Sequence, residues 1–213
     1  MKKLVVLLSI CALISQICSS GVILAQEKLH FDFETDRGGW KIPDWAYYQN
    51  DHKGLSSEIS SEEASSGTNS LKVECDFPGN IWAAVVIERL KDINLSGFET
   101  ISADIYLPKK APRGLLQARF ILVGGEGWHW LEMREVVPLK RGKWVTVKAS
   151  FKIQKTEEGE EQSDWKGRRQ KRLSLNIHDI RKIIVRIEYD AAPPYRIGSR
   201  YKGPVYIDNV IIE

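Results

Sequence analysis

Beyond residue 25 the sequence holds one cysteine, Cys75, so no internal disulfide can form there even in a compartment that permits one. Stability has to come from a packed core, with or without a metal ion. Charge of one sign is also missing. Without Lys2 and Lys3 the 31 basic residues exceed the 28 acidic ones by a single charge. That balance argues against a general nucleic-acid binder. The four histidines (His30, His52, His129 and His178) are scattered and give no zinc-ligand spacing. There is no Gly-x-Ser-x-Gly elbow and no phosphate-binding loop. Paired carboxylates in the pattern Glu-x-Asp-x-x-Glu are absent, and Glu188-Tyr189-Asp190 does not supply them. Helical periodicity is almost absent as well, and so is any linker long enough to separate a second folded unit.

The first residues read as a leader and not as fold. Lys2 and Lys3 form a basic start, Leu4 to Ile14 an apolar stretch, and Ala25 a small residue where a signal peptidase could cut. The apolar run is short of the roughly 18 residues that a membrane span needs. Ile10 and Ile17 precede Cys11 and Cys18 where a lipidation signal wants Gly or Ala. The expectation is a signal peptide over 1–25 and one domain over 26–213, secreted to the extracellular space or periplasm.

What is abundant is tryptophan and alternation. All seven tryptophans lie after residue 25, more than a core of this size needs. Short segments alternate apolar and polar residues between Gly/Pro turns, as half-buried strands do. They are Leu29–Glu34, Ser70–Phe77, Ile81–Leu90, Glu99–Leu107, Trp144–Ile153, Ile183–Tyr189 and Val205–Ile212. Ser56 to Asn69 reads as a Ser/Glu/Gly-rich loop, and Lys41 to Lys53 as an aromatic loop or irregular strand. The fold class expected is all-β, a β-sandwich or jelly roll.

The most informative stretch runs from Leu115 to Met133, two strands around Gly124-Gly125-Glu126-Gly127. Side chains alternate across a strand. Leu116, Ala118, Phe120 and Leu122 share a core face with Leu131 and Met133. Gln117, Arg119, Trp128, Trp130 and Glu132 fall on the other. If that second face were core, Glu132 would be buried, which is costly without a partner. An exposed face of flat aromatics among planar donors and acceptors suits a sugar, whose C–H face stacks while its hydroxyls hydrogen-bond. Asp104, Tyr106, Arg186 and Glu188 occupy outward positions on other strands and are expected on the same face. Trp45 and Trp82 lie in or beside loops as candidate platforms or rim packing, and Trp165 is similar. Trp40 and Trp144 follow glycine turns and read as core or rim. The competing account of the polar face is a solvated surface of ion pairs, each worth little.

Five segments occur in a telling order. They are Phe31-Asp32-Phe33-Glu34 with Gly39-Trp40, Ser66 to Val73, Phe98 to Leu107, Gly142-Lys143-Trp144, and Val205 to Val210. Together they resemble carbohydrate-binding modules of the galactose-binding-like jelly-roll type, above all the mannan- and glucan-binding families 27, 11 and 4. The resemblance covers essentially the whole chain after residue 25. It implies a non-catalytic protein that binds β-linked polysaccharide or oligosaccharide in a concave groove. It also implies a structural Ca²⁺ where the chain ends meet, with Asp32, Glu34 and Asp208 as ligands. Ca²⁺ takes six to eight oxygens, so carbonyls near Gly67 to Lys72 would have to contribute; the alternative is two outward acids and a turn Asp. A second account is a cell-surface interaction protein that meets a protein partner through the charged 154–172 loop. A polysaccharide lyase or glycanase ranks last.

Overall fold

Alternation carries through into two stacked sheets. The computed structural model describes residues 28–112, 116–151, 161–163, 169–171, 176–189 and 200–213. The leader, Trp165 and most of the 154–172 loop lie outside the described residues.

The first sheet holds β1 (Leu29–Phe31), β3 (Gly54–Ser60), β4 (Ser70–Phe77), β6 (Thr100–Leu107), β10 (Lys143–Ser150) and β14 (Tyr201–Ile212). Its order is β10-β6-β14-β4-β3, with β1 also on β14. The second holds β2 (Trp40–Lys41), β5 (Ala83–Ile93), β7 (Leu116–Gly124), β8 (His129–Glu132), β9 (Val137–Pro138) and β13 (Ile180–Tyr189). Its order is β2-β5-β13-β7-β8, with β9 on β7. A separate two-stranded ribbon joins β11 (Glu161–Ser163) and β12 (Arg169–Lys171). Neighbouring strands are antiparallel within both sheets. This is the all-β jelly-roll sandwich expected.

The inward positions of both sheets make one core. Leu71, Val73, Cys75, Phe77, Ile101, Ala103, Ile105 and Ile207 from the first meet Val85, Ile87, Ala118, Phe120, Leu122, Val185 and Ile187 from the second. Trp40 is 1% exposed and belongs to this core. Cys75 is buried and donates from Sγ to the Gly203 carbonyl at 2.9 Å. Burial pushes its thiol up, so it acts as a small core residue.

Two segments depart from the sequence reading. Gly54–Ser60 is a strand and not part of a loop; it pairs with β4 at the edge of its sheet. Edge strands have one free side and tolerate polar sequence. Strand β13 begins at Ile180, ahead of the Ile183 start that alternation suggested, and Asn176–Asp179 form the turn before it.

Candidate functional site

Cross-strand register builds the outer face of the second sheet in rows. Gln117 stands opposite Glu188, and Arg119 opposite Arg186. Ile121 lies between Glu132 and Ile184, and Ile184 pairs onward with Glu88. Val123 lies between Trp130 and Lys182. Val86, Ile121, Val123 and Ile184 form a second, small apolar cluster although they point away from the main core. They are the floor on which the polar and aromatic side chains stand.

Two arginines directly opposite one another repel. Carboxylates in the adjoining rows resolve this. Arg186 meets Glu132 with Nη1–Oε1 at 2.6 Å and Nη2–Oε2 at 2.9 Å. Arg119 Nη1 reaches Glu132 Oε2 at 2.9 Å. Glu188 Oε1 accepts from Arg119 Nη2 at 2.9 Å and Gln117 Nε2 at 2.9 Å, while its Oε2 lies 2.8 Å from Arg186 Nη2. The result is a neutral, cross-braced lattice of two guanidinium forks and two carboxylates. Burial works against ionisation of Glu132. The hydrogen bonds and charge of Arg186, the charge of Arg119 and a hydrogen bond from Trp130 outweigh it and hold the carboxyl below its usual range. Arg186 is 7% exposed, and its Nε is buried without a partner.

Indoles surround this lattice. Trp82 lies over Arg186, whose guanidinium carbon is 5.8 Å from the ring centre. Trp45 sits in a 3-10 turn (Asp44–Tyr48) and donates from Nε1 to Glu88 Oε2 at 3.3 Å. Its loop is held along β5 by Lys53 N to Ala84 O and Ala84 N to Asp51 O. Trp128 stands in the β7–β8 turn with φ of 51°, a left-handed conformation uncommon outside glycine. Lys182 Nζ lies 5.4 Å from the Trp128 ring and 5.9 Å from that of Trp45. Trp45, Trp128 and Trp130 are 38%, 48% and 46% exposed, well above the core tryptophan Trp40.

Nine of the ten ligand candidates therefore meet on one face: Gln117, Arg119, Glu132, Arg186, Glu188, Trp45, Trp82, Trp128 and Trp130. Asp104 does not, and this corrects the expectation. It lies on β6 of the first sheet, on the far side of the sandwich, with Tyr106. Its carboxylate accepts from Thr146 Oγ1 at 2.6 Å, Ser65 Oγ at 2.7 Å and Asn209 Nδ2 at 3.2 Å. Alternation assigned Asp104 an outward direction but not a sheet. Conversely, Glu88 and Lys182 belong to the face and were not singled out. The available signal was a charge set directly against each apolar run, Glu88 after Ala83–Ile87 and Lys182 before Ile183–Val185.

The proposed calcium ligands do approach one another through the 65–69 loop, and β1 pairs with the end of β14. Their oxygens, however, face donors. Glu34 Oε1 accepts from Thr68 N at 2.9 Å and Asn69 N at 3.0 Å, and Oε2 from Thr68 Oγ1 at 2.8 Å. Asp208 Oδ2 accepts from Ser65 N at 2.8 Å and Ser66 N at 3.1 Å. Asp32 Oδ1 accepts from Glu34 N at 3.2 Å. N–H donors repel a cation, and among the described residues no three or more His, Cys, Asp or Glu side chains are grouped to hold one. The donor set as arranged does not fit Ca²⁺. It latches the loop to both chain ends.

Comparison with known proteins agrees with this architecture. The CBM27-1 module of Caldicellulosiruptor saccharolyticus, solved in complex with mannohexaose, superposes with a TM-score of 0.60 at 14% identity, covering 88% of this chain and 97% of that one. A CBM28 module described as specific for non-crystalline cellulose gives 0.58 at 17% identity, covering 85% and 92%. The C-terminal family 22 module of Clostridium thermocellum Xyn10B gives 0.50 at 14%, covering 86% and 91%. No curated protein matches the sequence. No helix among the described residues is long and apolar enough to cross a membrane. Residues 31–157, more than half of the chain, match the family described as "Mannanase, galactose-binding domain-like", and the chain belongs to that family.

Proposed function

We propose that this protein is a secreted, non-catalytic module that binds β-linked glycan chains of the mannan or glucan type on the outer face of the second sheet. One observation carries the reading: three half-exposed indoles, Trp45, Trp128 and Trp130, border a fixed and electrically neutral lattice of Arg119, Arg186, Glu132 and Glu188. Exposed aromatic patches of this kind usually serve binding. An indole offers a flat face to a pyranose ring, and the side-chain amide of Gln117 together with the rims of the guanidinium forks offers directed hydrogen bonds to hydroxyls. The absence of net charge in the lattice favours a neutral polysaccharide over a uronate-rich one. Relatives in fold whose names mention mannohexaose or non-crystalline cellulose support the same choice of ligand class.

The test is a glycan array on residues 26–213, followed by calorimetric titration with β-mannan, β-glucan and xylan oligosaccharides. Binding to at least one β-linked neutral chain, without release of reducing or unsaturated sugar, is the expected result. Retention of a protein partner with no glycan binding would overturn it.

A further inference from the structure

Lys182 occupies an unusual position for a residue in the middle of a sheet face. Its cross-strand partners are Val123 on β7 and Leu90 on β5, and Ile184 of the apolar floor lies two residues further along the same strand. An apolar side chain would continue that floor without charge. Lys182 instead places an ammonium 3.0 and 3.2 Å from the two oxygens of Glu88, whose side chain is only 5% exposed. The same nitrogen lies 5.9 Å from the Trp45 ring centre and 5.4 Å from that of Trp128. The two rings can therefore be no further apart than the sum of those distances. Glu88 Oε2 also accepts the indole N–H of Trp45. Trp45, Glu88, Lys182 and Trp128 thus form one continuous chain across the face. An ammonium has three N–H donors. Glu88 satisfies two, and the third has no oxygen partner among the described residues.

We propose that Lys182 is a glycan-contacting residue, whose free N–H donates to a hydroxyl of a sugar unit lying between Trp45 and Trp128, so that the two indoles act as one subsite. The inference rests on the glycan-binding reading above and adds a residue and a coupling to it. Cation–π attraction holds each ring toward the ammonium, and the Glu88 bond fixes Trp45. Removal of Lys182 therefore loses a donor and the cation that the two rings share, leaving Trp45 on its bond to position 88 and Trp128 against Arg181, 5.4 Å from its ring centre.

The experiment uses isothermal titration with whichever β-linked oligosaccharide the wild-type protein binds best, together with thermal melts. Lys182→Met alone would leave Glu88 buried and unpaired, which destabilises. The decisive variant is therefore Lys182→Met with Glu88→Gln, which removes the charge pair and keeps an amide oxygen for Trp45. It is expected to melt near the wild type and to bind about tenfold or more weakly. Lys182→Arg, which keeps the cation and its hold on the rings, is expected to recover part of that loss. Adding Trp128→Ala to the double variant should cost less than Trp128→Ala costs in the wild type, because the cation that couples Trp128 to Trp45 is already gone. Wild-type affinity in a folded double variant, alongside weakened binding by Trp128→Ala, overturns the role of Lys182 and leaves the glycan reading intact. Failure of the wild type to bind any β-linked glycan overturns both.

Discussion

The two outer faces of the sandwich are built from the same ingredients and end in different states. On the first sheet Trp144, Tyr106 and Tyr206 stand in register across β10, β6 and β14. Their rings pack on one another, with centres 5.4 and 6.1 Å apart. The Tyr206 hydroxyl donates to Glu62 at 2.5 Å, and Lys72, next in the same row, bridges Glu62 and Glu74. Tyr206 is buried as a result. On the second sheet Trp45, Trp82 and Trp128 each face a cation, and Trp45, Trp128 and Trp130 keep much of their surface open. Aromatic content alone does not mark a binding face. What separates the two is whether a ring is covered by another ring or stands over a charged group with a side left to solvent.

Four experiments break or sharpen this contrast. The largest effect is expected from Glu188→Ala. Its side chain is 3% exposed and holds Arg119, Arg186 and Gln117. Removing one member of a buried ionic lattice strands the others, so unfolding in denaturant should show a loss of about 3–5 kcal/mol. A loss no greater than that of an exposed ion pair would mean that the lattice is solvated.

Next comes a pair of tryptophans, one from each face. Trp128→Ala should weaken glycan binding by about 1–3 kcal/mol with the melting temperature nearly kept. Trp144→Ala should leave affinity unchanged and lower stability, with about 0.5–1.5 kcal/mol lost from the ring pair itself. Exchange of these two outcomes would place the binding face on the first sheet.

Acid comes third. Although burial works against ionisation, the guanidinium groups of Arg186 and Arg119 hold the Glu132 carboxyl below the usual glutamate range in the folded protein. Its stabilising contribution is therefore complete above the unfolded-state value and is lost as pH falls through the lower folded one. Denaturant midpoints should decline there, and Glu132→Gln should flatten that part of the curve. Equal acid dependence of the two proteins would remove Glu132 as its source.

Chelation should do least. Glu34 and Asp208 are engaged by backbone N–H groups, so EDTA is expected to leave the melting temperature unchanged. A drop reversed by added Ca²⁺ would return these carboxylates to the role of metal ligands.

The β7–β8 hairpin explains how much of this was legible in advance. Its alternation correctly separated Ala118, Phe120 and Leu122 from Gln117 and Arg119, and its Gly-rich turn set the return strand. Period-two patterning is a local property and survives folding where one face is buried. Sheet membership is not local. Asp104 alternates as cleanly as Arg119, yet long-range pairing puts β6 beside β14 and β13 beside β7. The edge strand β3 was obscured because polar residues suit an edge. Glu88 and Lys182 were obscured for another reason: their partnership joins positions 94 residues apart.

The turn that presents Trp128 has a consequence for how the protein changes over time. A bulky residue at φ of 51° sits where glycine or asparagine is at ease. Backbone strain of this sort costs on the order of 1–3 kcal/mol and persists when something else rewards it. A population of variants screened for heat resistance alone should thus drift toward Asn or Gly at this position. One screened for ligand retention should hold the indole. Position 128 is accordingly a natural gauge of whether a lineage still depends on what this face binds.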